Sequence, residues 1–284
     1  MRQLKIVIPK GRLNKKIVYL LNDIGLGMEI DERRYIPYVN APGIKAKIMK
    51  PQNIPQLVEI GSHDMGFTGY DWIKETDADI VELLDLGFDP VTIVAAVPGS
   101  LSKEELFSRE IVVASEYPVL AQAYLKQQGY DYYLIRTFGA TEVFPPDDAD
   151  MIIDNMSSGF TLDEHKLKVI DRLITSSTRV IANKQALADP VKKQKIDELV
   201  MLMQAVLDAR ERVMLEMNIP GKILEVIVKK LPCMRAPTVA PLYNGDGYAV
   251  KIAVKKSESI RLIPRLKAMG ATDILEYDIR KVVI

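Results

Sequence analysis

The chain is predicted to be an α/β protein with a separate small domain at its C-terminal end. Three observations carry that prediction. Short apolar runs rich in β-formers recur from residue 4 to residue 182, separated by segments of helical period, the pattern of sheet built from βαβ units. A long amphipathic stretch after Pro190 breaks this rhythm. Beyond Arg212 the order changes to strand, helix, strand, strand, helix, strand, the ferredoxin-like βαββαβ unit.

Each element has its own warrant. Residues 4–8 read as a buried strand, and Lys10-Gly11-Arg12 is the turn into a helix carrying Ile17, Leu20 and Leu21 on one stripe. Further strands are expected at 46–49, 65–68, 80–83 and 92–97, with an intervening helix at 54–60. Ser102-Lys103-Glu104-Glu105 has the Ser-x-x-Glu form of a capping box. Strands at 111–114 and 133–135 flank a helix at 119–128, and strands at 150–153, 169–173 and 180–182 follow. The chain is expected to leave the first sheet near Val97-Pro98-Gly99-Ser100 and to return at 175–178, two crossings that permit two lobes of parallel sheet with a cleft between them. The helix from Pro190 to about Arg210 places Ile196, Leu199, Leu202, Met203, Val206 and Leu207 on one face. In the tail the strands are 212–217, 238–242, 248–254 and 273–282, and the helices 220–230 and 260–269. Pro220 suits a first helical turn and Gly270 a C-terminal cap.

Composition narrows the functional classes. Thirty-eight basic residues balance thirty-eight acidic ones, which argues against nucleic acid as a general partner. The single Cys233 excludes an internal disulfide framework and a cysteine metal cluster, and fits a small buried apolar role. No run approaches the roughly 20 apolar residues of a membrane helix. Lys5, Pro9, Lys10 and Arg12 interrupt any leader-like apolar region, so a cytoplasmic location is expected. His63 and His165 lie in polar surroundings that suggest surface positions. No Ser-His-Asp or Cys-His arrangement of a covalent catalyst is evident.

The stretch with the most chemistry runs from Asp150 to Leu162. An acid, the apolar Met151-Ile152-Ile153 and a second acid, Asp154, lead into Asn155-Met156-Ser157-Ser158-Gly159-Phe160-Thr161. Hydroxyls, bare amides beside a glycine and a following helix start are what a phosphate requires. Asp154 at the mouth suits sugar hydroxyls, which a phosphate would not. Phosphate plus ribose is the specific interpretation; ordinary Ser-Gly turn chemistry is the plain one.

This loop resembles the phosphoribosyl-pyrophosphate (PRPP) loop of the long form of ATP phosphoribosyltransferase. Other segments similar to that family follow in register: Ile8-Pro9-Lys10-Gly11-Arg12-Leu13, Asp64 to Asp71, Leu86-Gly87-Phe88, Ala114-Ser115-Glu116-Tyr117-Pro118, Gly139-Ala140-Thr141-Glu142-Val143, Ala236 to Leu242, and Met269 to Leu275. The resemblance implies a two-lobed region akin to periplasmic binding proteins, with lobe I at 1–97 and 178–210, lobe II with the PRPP loop at 98–177, and an amino-acid-sensing (ACT-like) domain at 211–284. It implies transfer of the phosphoribosyl group of PRPP to N1 of ATP, opening histidine biosynthesis, with feedback by histidine and no protein nucleophile.

Roles follow by position. The resemblance assigns Ser157, Ser158, Gly159, Phe160 and Thr161 to the 5-phosphate of PRPP, and Asp154 and Asp150 to its ribose. Glu142 either faces the same site or serves as a helix N-terminal carboxylate beside Thr141. Lys10, Gly11, Arg12 and Arg34 are candidates for ATP and the phosphates; a solvated basic turn is the other interpretation. Glu216, Thr238 and Ala271 are implicated in histidine binding, although Glu216 equally fits a surface strand. Mg²⁺ is inferred from the pyrophosphate, which normally travels with it. A homo-oligomer, dimer or hexamer, is expected, with neither membrane nor nucleic-acid partners. The competing class is a non-catalytic two-lobed sugar-phosphate sensor, which would need one anion site instead of two.

Overall fold

The structure, a computed structural model, describes residues 3–30, 35–157, 159–243 and 245–283. Arg34 and Ser158 lie outside the described residues. The chain divides into two compact units, Met1–Asn22 with Leu26–Ile196, and Asp23–Gly25 with Asp197–Ile284.

The first unit contains two five-stranded sheets. Its opening elements are β1 (Leu4–Pro9), α1 (Arg12–Asp23), β2 (Met28–Glu29), β3 (Tyr38–Val39), β4 (Ile44–Met49), α2 (Ile54–Glu59), β5 (Met65–Gly69), α3 (Tyr70–Thr76) and β6 (Val81–Asp85). Then come β7 (Val91–Pro98), α4 (Lys103–Phe107), β8 (Ile111–Ser115), α5 (Pro118–Gln128), β9 (Tyr132–Arg136), β10 (Met151–Met156), α6 (Phe160–Glu164) and β11 (Leu167–Ser176). The chain finally returns through β12 (Thr178–Ala182), α7 (Lys184–Ala188) and α8 (Pro190–Arg210). Leu4, Ile6, Val7 and Ile8 of β1 are completely buried, as a strand covered on both faces requires. The anticipated capping box is present, Ser102 Oγ accepting from Glu105 N while Glu105 accepts from Ser102 N.

Two expectations are corrected. The sheets are mixed rather than parallel. The first has the order β4-β1-β5-β12-β6, with β12 antiparallel to both neighbours. The second has the order β11-β7-β10-β8-β9, with β7 antiparallel to β10 and β11. The first crossing therefore falls at 86–90, not at 97–100, because β7 already belongs to the second sheet. An apolar run reads the same whichever sheet it enters. The second crossing is Ser177, between β11 and β12.

Helix α3 locks the lobes together. Its chain continues directly from β5 of the first sheet, yet Trp72 packs in the core of the second lobe with Ile93, Leu106, Tyr117 and Tyr124. The Trp72 and Tyr117 rings stack at 4.4 Å. Glu75, buried at 8% exposure, accepts from the N–H groups of Val119 and Leu120, both at 3.0 Å. These are orphan donors of the first turn of α5, and a carboxylate there also opposes the positive end of the helix.

The tail carries β13 (Arg212–Ile219), α9 (Leu224–Val228), β14 (Thr238–Pro241), β15 (Tyr248–Lys255), α10 (Lys256–Ala268) and β16 (Thr272–Asp278). The sheet order β14-β15-β13-β16 is that of a ferredoxin-like fold. Strict alternation along β13 buries Val213, Leu215, Met217 and Ile219 against the helices. Pro220 stands before the helical segment, which opens as a 3₁₀ turn at Gly221–Ile223. Gly270, at φ 101°, follows the α10 cap, a conformation that side chains rarely adopt. Cys233 is only partly buried, at the margin of the tail core.

Glu75→Ala is expected to cost about 1–2 kcal/mol, the usual value of a lost N-cap. A denaturant midpoint unchanged from wild type would show that the helix terminus is satisfied without it.

Candidate functional site

The second sheet reverses its winding beside β8. Helix α5 leads from β8 outward to β9, and the chain then passes back over β8 to β10. The crevice at such a switch point is where open α/β sheets place ligands. A cavity of about 280 Å³ opens there, lined by Glu116 after β8, Glu142, and Asp154, Ser157, Gly159 and Thr161 from the β10 end and its following turn.

The loop is built as the residue types suggest. Gly159 takes φ 85°, so its backbone turns where a side chain would be strained. Thr137 and Thr141 hydroxyls are hydrogen-bonded at 2.8 Å in the interior, fixing the loop that carries Gly139, Ala140 and Glu142. Helix α6 has five residues, so cradle amides and hydroxyls outweigh any dipole.

Five of the residues assigned to PRPP by resemblance thus share one cavity: Glu142, Asp154, Ser157, Gly159 and Thr161. Two do not. Asp150 stands just before β10, at the end of the strand opposite the turn, four residues or roughly 13 Å from Asp154. There it accepts both Nη atoms of Arg109, at 3.0 and 2.5 Å, and the N–H of Val112. The Arg109 guanidinium holds its carboxyl below the usual range, and Asp150 is a structural ion pair. Phe160 is 66% exposed and does not line the cavity.

A second cavity, of about 210 Å³, lies between the lobes of the first unit and is lined by Lys10, Arg12, Gln52, Asp71, Trp72 and Ser176 among others. Lys10 and Arg12 therefore face the cleft, with Gly11 between them at φ 87°. Lys10 Nζ lies 3.2 Å from the Tyr35 hydroxyl and 4.9 Å from the centre of its ring. Gln52 Oε1 is buried with no partner among the described residues. Asp71 accepts from the Tyr117 hydroxyl at 2.8 Å and the Ser176 hydroxyl at 2.5 Å. Burial, then the Asp71 charge, pushes the Tyr117 phenol up.

Electrostatically the first cavity is frustrated. Burial raises the Asp154 carboxyl, the Asn155 backbone and the Thr141 hydroxyl hold it down, and Glu142 raises it further. Glu116 is raised by burial and then by Asp154, with Lys50 and Arg136 lowering it. Such shifts are typical of functional sites. Composition and spacing did not single out Glu116, Asp71, Ser176 or Gln52; only the family-like segments Asp64 to Asp71 and Ala114 to Pro118 pointed near two of them. His63, expected at the surface, is buried at 9% exposure, and burial together with Lys47 and Lys5 lowers it. His165 is exposed.

In the tail, Glu216 and Thr238 both pair with Lys251, so the three form one row across the sheet. Lys251 Nζ is 3.2 Å from Glu216 Oε1. Ala271 is apart from them, buried in the core with its N–H given to Leu266 O. The Ala271 amide is therefore already committed.

Because both acids are raised above ordinary values, the native state binds their protons more tightly than the unfolded chain does. Stability then falls as pH rises through the folded values, and the ionised forms are a burden at neutral pH. Asp154→Asn should raise Tm at pH 7 by about 2–4 °C. It should also flatten the rise in Tm seen on acidifying the wild type toward pH 5. Calorimetry showing a lower Tm would reverse the sign of this balance.

Comparison with known proteins identifies the family of the chain. Residues 50–205 match the family model for ATP phosphoribosyltransferase, and residues 209–281 match that for the HisG C-terminal domain. The chain is 37% identical to an ATP phosphoribosyltransferase of Pelotomaculum thermopropionicum, with 99% of each chain covered. It is 36% identical to one of Chlorobium chlorochromatii, covering 99% of this chain and 97% of that one. The fold resembles a solved ATP phosphoribosyl transferase (HisG:HisZ) complex from Thermotoga maritima, with TM-score 0.64 and 24% identity over 71% of this chain and 99% of that chain.

Proposed function

The chain belongs to the ATP phosphoribosyltransferase family in its long form, and from that premise we propose how its residues divide the work. The enzyme transfers the phosphoribosyl group of PRPP to N1 of ATP with release of pyrophosphate, the first step of histidine biosynthesis. One observation carries the assignment of parts: the glycine-hydroxyl cavity adjoins a cleft lined by two cations of the opposite lobe. A sugar-phosphate sensor would need only the first, and family membership does not favour it.

Ser157, Gly159 and Thr161 hold the 5-phosphate, while Asp154 and Glu142 accept from the ribose hydroxyls. Lys10 and Arg12, on a turn whose glycine leaves its backbone bare, hold the nucleotide and offset the charge of the departing pyrophosphate. Catalysis consists of orienting two substrates, worth roughly 7–11 kcal/mol, and stabilising the leaving group. Mg²⁺ bound to the phosphates would neutralise part of their charge. The hard carboxylate oxygens of Asp154 and Glu142 fit that ion, and no group of three or more His, Cys, Asp or Glu among the described residues is arranged to hold a metal alone.

We assign residues 1–85 and 178–196 to the first lobe, 91–176 to the second and 211–284 to regulation. Histidine is the proposed effector of the tail, on the Glu216–Lys251–Thr238 row, and a homo-oligomer the proposed assembly. No helix among the described residues is long and apolar enough to cross a membrane, in keeping with a cytoplasmic enzyme of amino-acid biosynthesis.

Ultraviolet absorbance on mixing ATP, PRPP and Mg²⁺ tests the activity directly. Gly159→Val, forced into a conformation costing on the order of 1–3 kcal/mol, should weaken PRPP binding at least tenfold by calorimetry; unchanged affinity would remove the phosphate from this loop. Arg12→Ala should lower kcat on the order of 100-fold at saturating PRPP, whereas full activity would reduce the turn to a solvated surface. Glu216→Ala should relieve histidine inhibition, a coupling of about 1–3 kcal/mol, with uninhibited turnover retained. Inhibition of the same strength in that variant would move the effector site elsewhere.

A further inference from the structure

If the ribose phosphate occupies the first cavity and the adenine the second, C1 and N1 must approach to about 3–3.5 Å where the cavities meet. This inference rests on that assignment. Among the described residues only Glu116 and Asn155 line both cavities. Asn155 is already engaged, its Nδ2 donating to Asp154 Oδ1 at 3.0 Å and to the Tyr117 hydroxyl at 3.3 Å. No described donor is hydrogen-bonded to the Glu116 carboxylate.

The backbone holding Glu116 is stiff. Ser115, fully buried, donates through Oγ to the Ile153 carbonyl at 2.5 Å and accepts from Tyr117 N at 2.9 Å. One hydroxyl thus ties β8 to β10 and folds the turn on which Glu116 stands. Pro118 opens α5 immediately afterward. Around the carboxylate lie Asp154 and Glu142 on one side of the charge balance and Lys50 and Arg136 on the other.

We propose that Glu116 is a catalytic residue that accepts a hydrogen bond from the adenine 6-amino group and balances the positive charge developing on the base. Atoms and charges balance without a general base. The N1 lone pair forms the N1–C1 bond, and the C1–O bond electrons leave with pyrophosphate. No proton has to move, so the N1–C6–N6 amidine takes up one positive charge. A carboxylate facing the 6-amino group stabilises that charge more in the transition state than in the neutral ground state, which is what raises kcat. The same group sets base specificity, because a 6-oxopurine would present an acceptor oxygen to an anion.

The test is Glu116→Gln, with folding checked by circular dichroism. The expected result is a kcat lower on the order of 100-fold, with PRPP affinity by calorimetry within about threefold of wild type. Wild type should bind ATP at least tenfold better than inosine triphosphate. The Glu116→Gln variant, whose side-chain amide can donate to O6, should narrow that preference. Glu116→Asp, which keeps the charge, should lower kcat while retaining the preference for ATP. A kcat within threefold of wild type and an unaltered nucleotide preference in Glu116→Gln would overturn the proposal. Loss of PRPP affinity in Glu116→Gln would overturn it too, by moving the residue to the ribose pocket. Failure of the underlying assignment looks different: Gly159→Val would then leave PRPP affinity intact, whatever Glu116→Gln does.

Discussion

Asp71 is the residue around which the first unit is arranged. It is 4% exposed, and an isolated carboxylate so buried would be costly. It is sustained by hydroxyls from two other parts of the chain, Tyr117 at the start of α5 and Ser176 at the end of β11. Ser176 Oγ also accepts from the Asp71 N–H, so first-lobe helix, second-lobe helix and second-lobe strand meet on one group. Beside it the Trp72–Tyr117 stack and the Glu75 cap add apolar and dipolar contact. The cleft holding Lys10 and Arg12 is the space left once this joint is made.

The site itself is assembled against its own electrostatics. Glu116, Glu142 and Asp154 share one cavity, and the Glu116 and Asp154 carboxyls are raised by burial and by neighbouring carboxylates. A fold selected for stability alone would not gather them. The sugar hydroxyls, exocyclic amine and phosphate-bound cation proposed for this site would offset that repulsion, so that stability is traded for function.

Much of the architecture was legible because it depends on local pattern. The buried apolar residues of β1, the α1 stripe of Ile17, Leu20 and Leu21, the Ser102–Glu105 box and the βαββαβ tail all follow from periodicity and capping chemistry. What escaped depends on contacts distant in sequence. Strand β7 carries no mark of which sheet it joins. Asp150 and Asp154 look equivalent in the motif, but Arg109 captures the first from 41 residues away. Ala271 reads as a turn residue until the α10 helix encloses it. Asp71 and Ser176 are 105 positions apart, beyond the reach of any local rule, and Glu116 gains meaning only where two cavities meet.

Strand β12 has a consequence for how the molecule comes into being. It lies between β5 and β6 and, among the described residues, is the only neighbour β6 has in its sheet, yet it is translated after the whole second lobe. Thr178 pairs with Gly69, across an intervening stretch containing all of β7 to β11. The first sheet is thus left open during synthesis and closes only when the chain comes back, a non-local step that slows folding. Until then β6 has no hydrogen-bonded edge to rest on. The two lobes mature as one cooperative body, and the last of their strands to be delivered is the one that completes the first sheet begun.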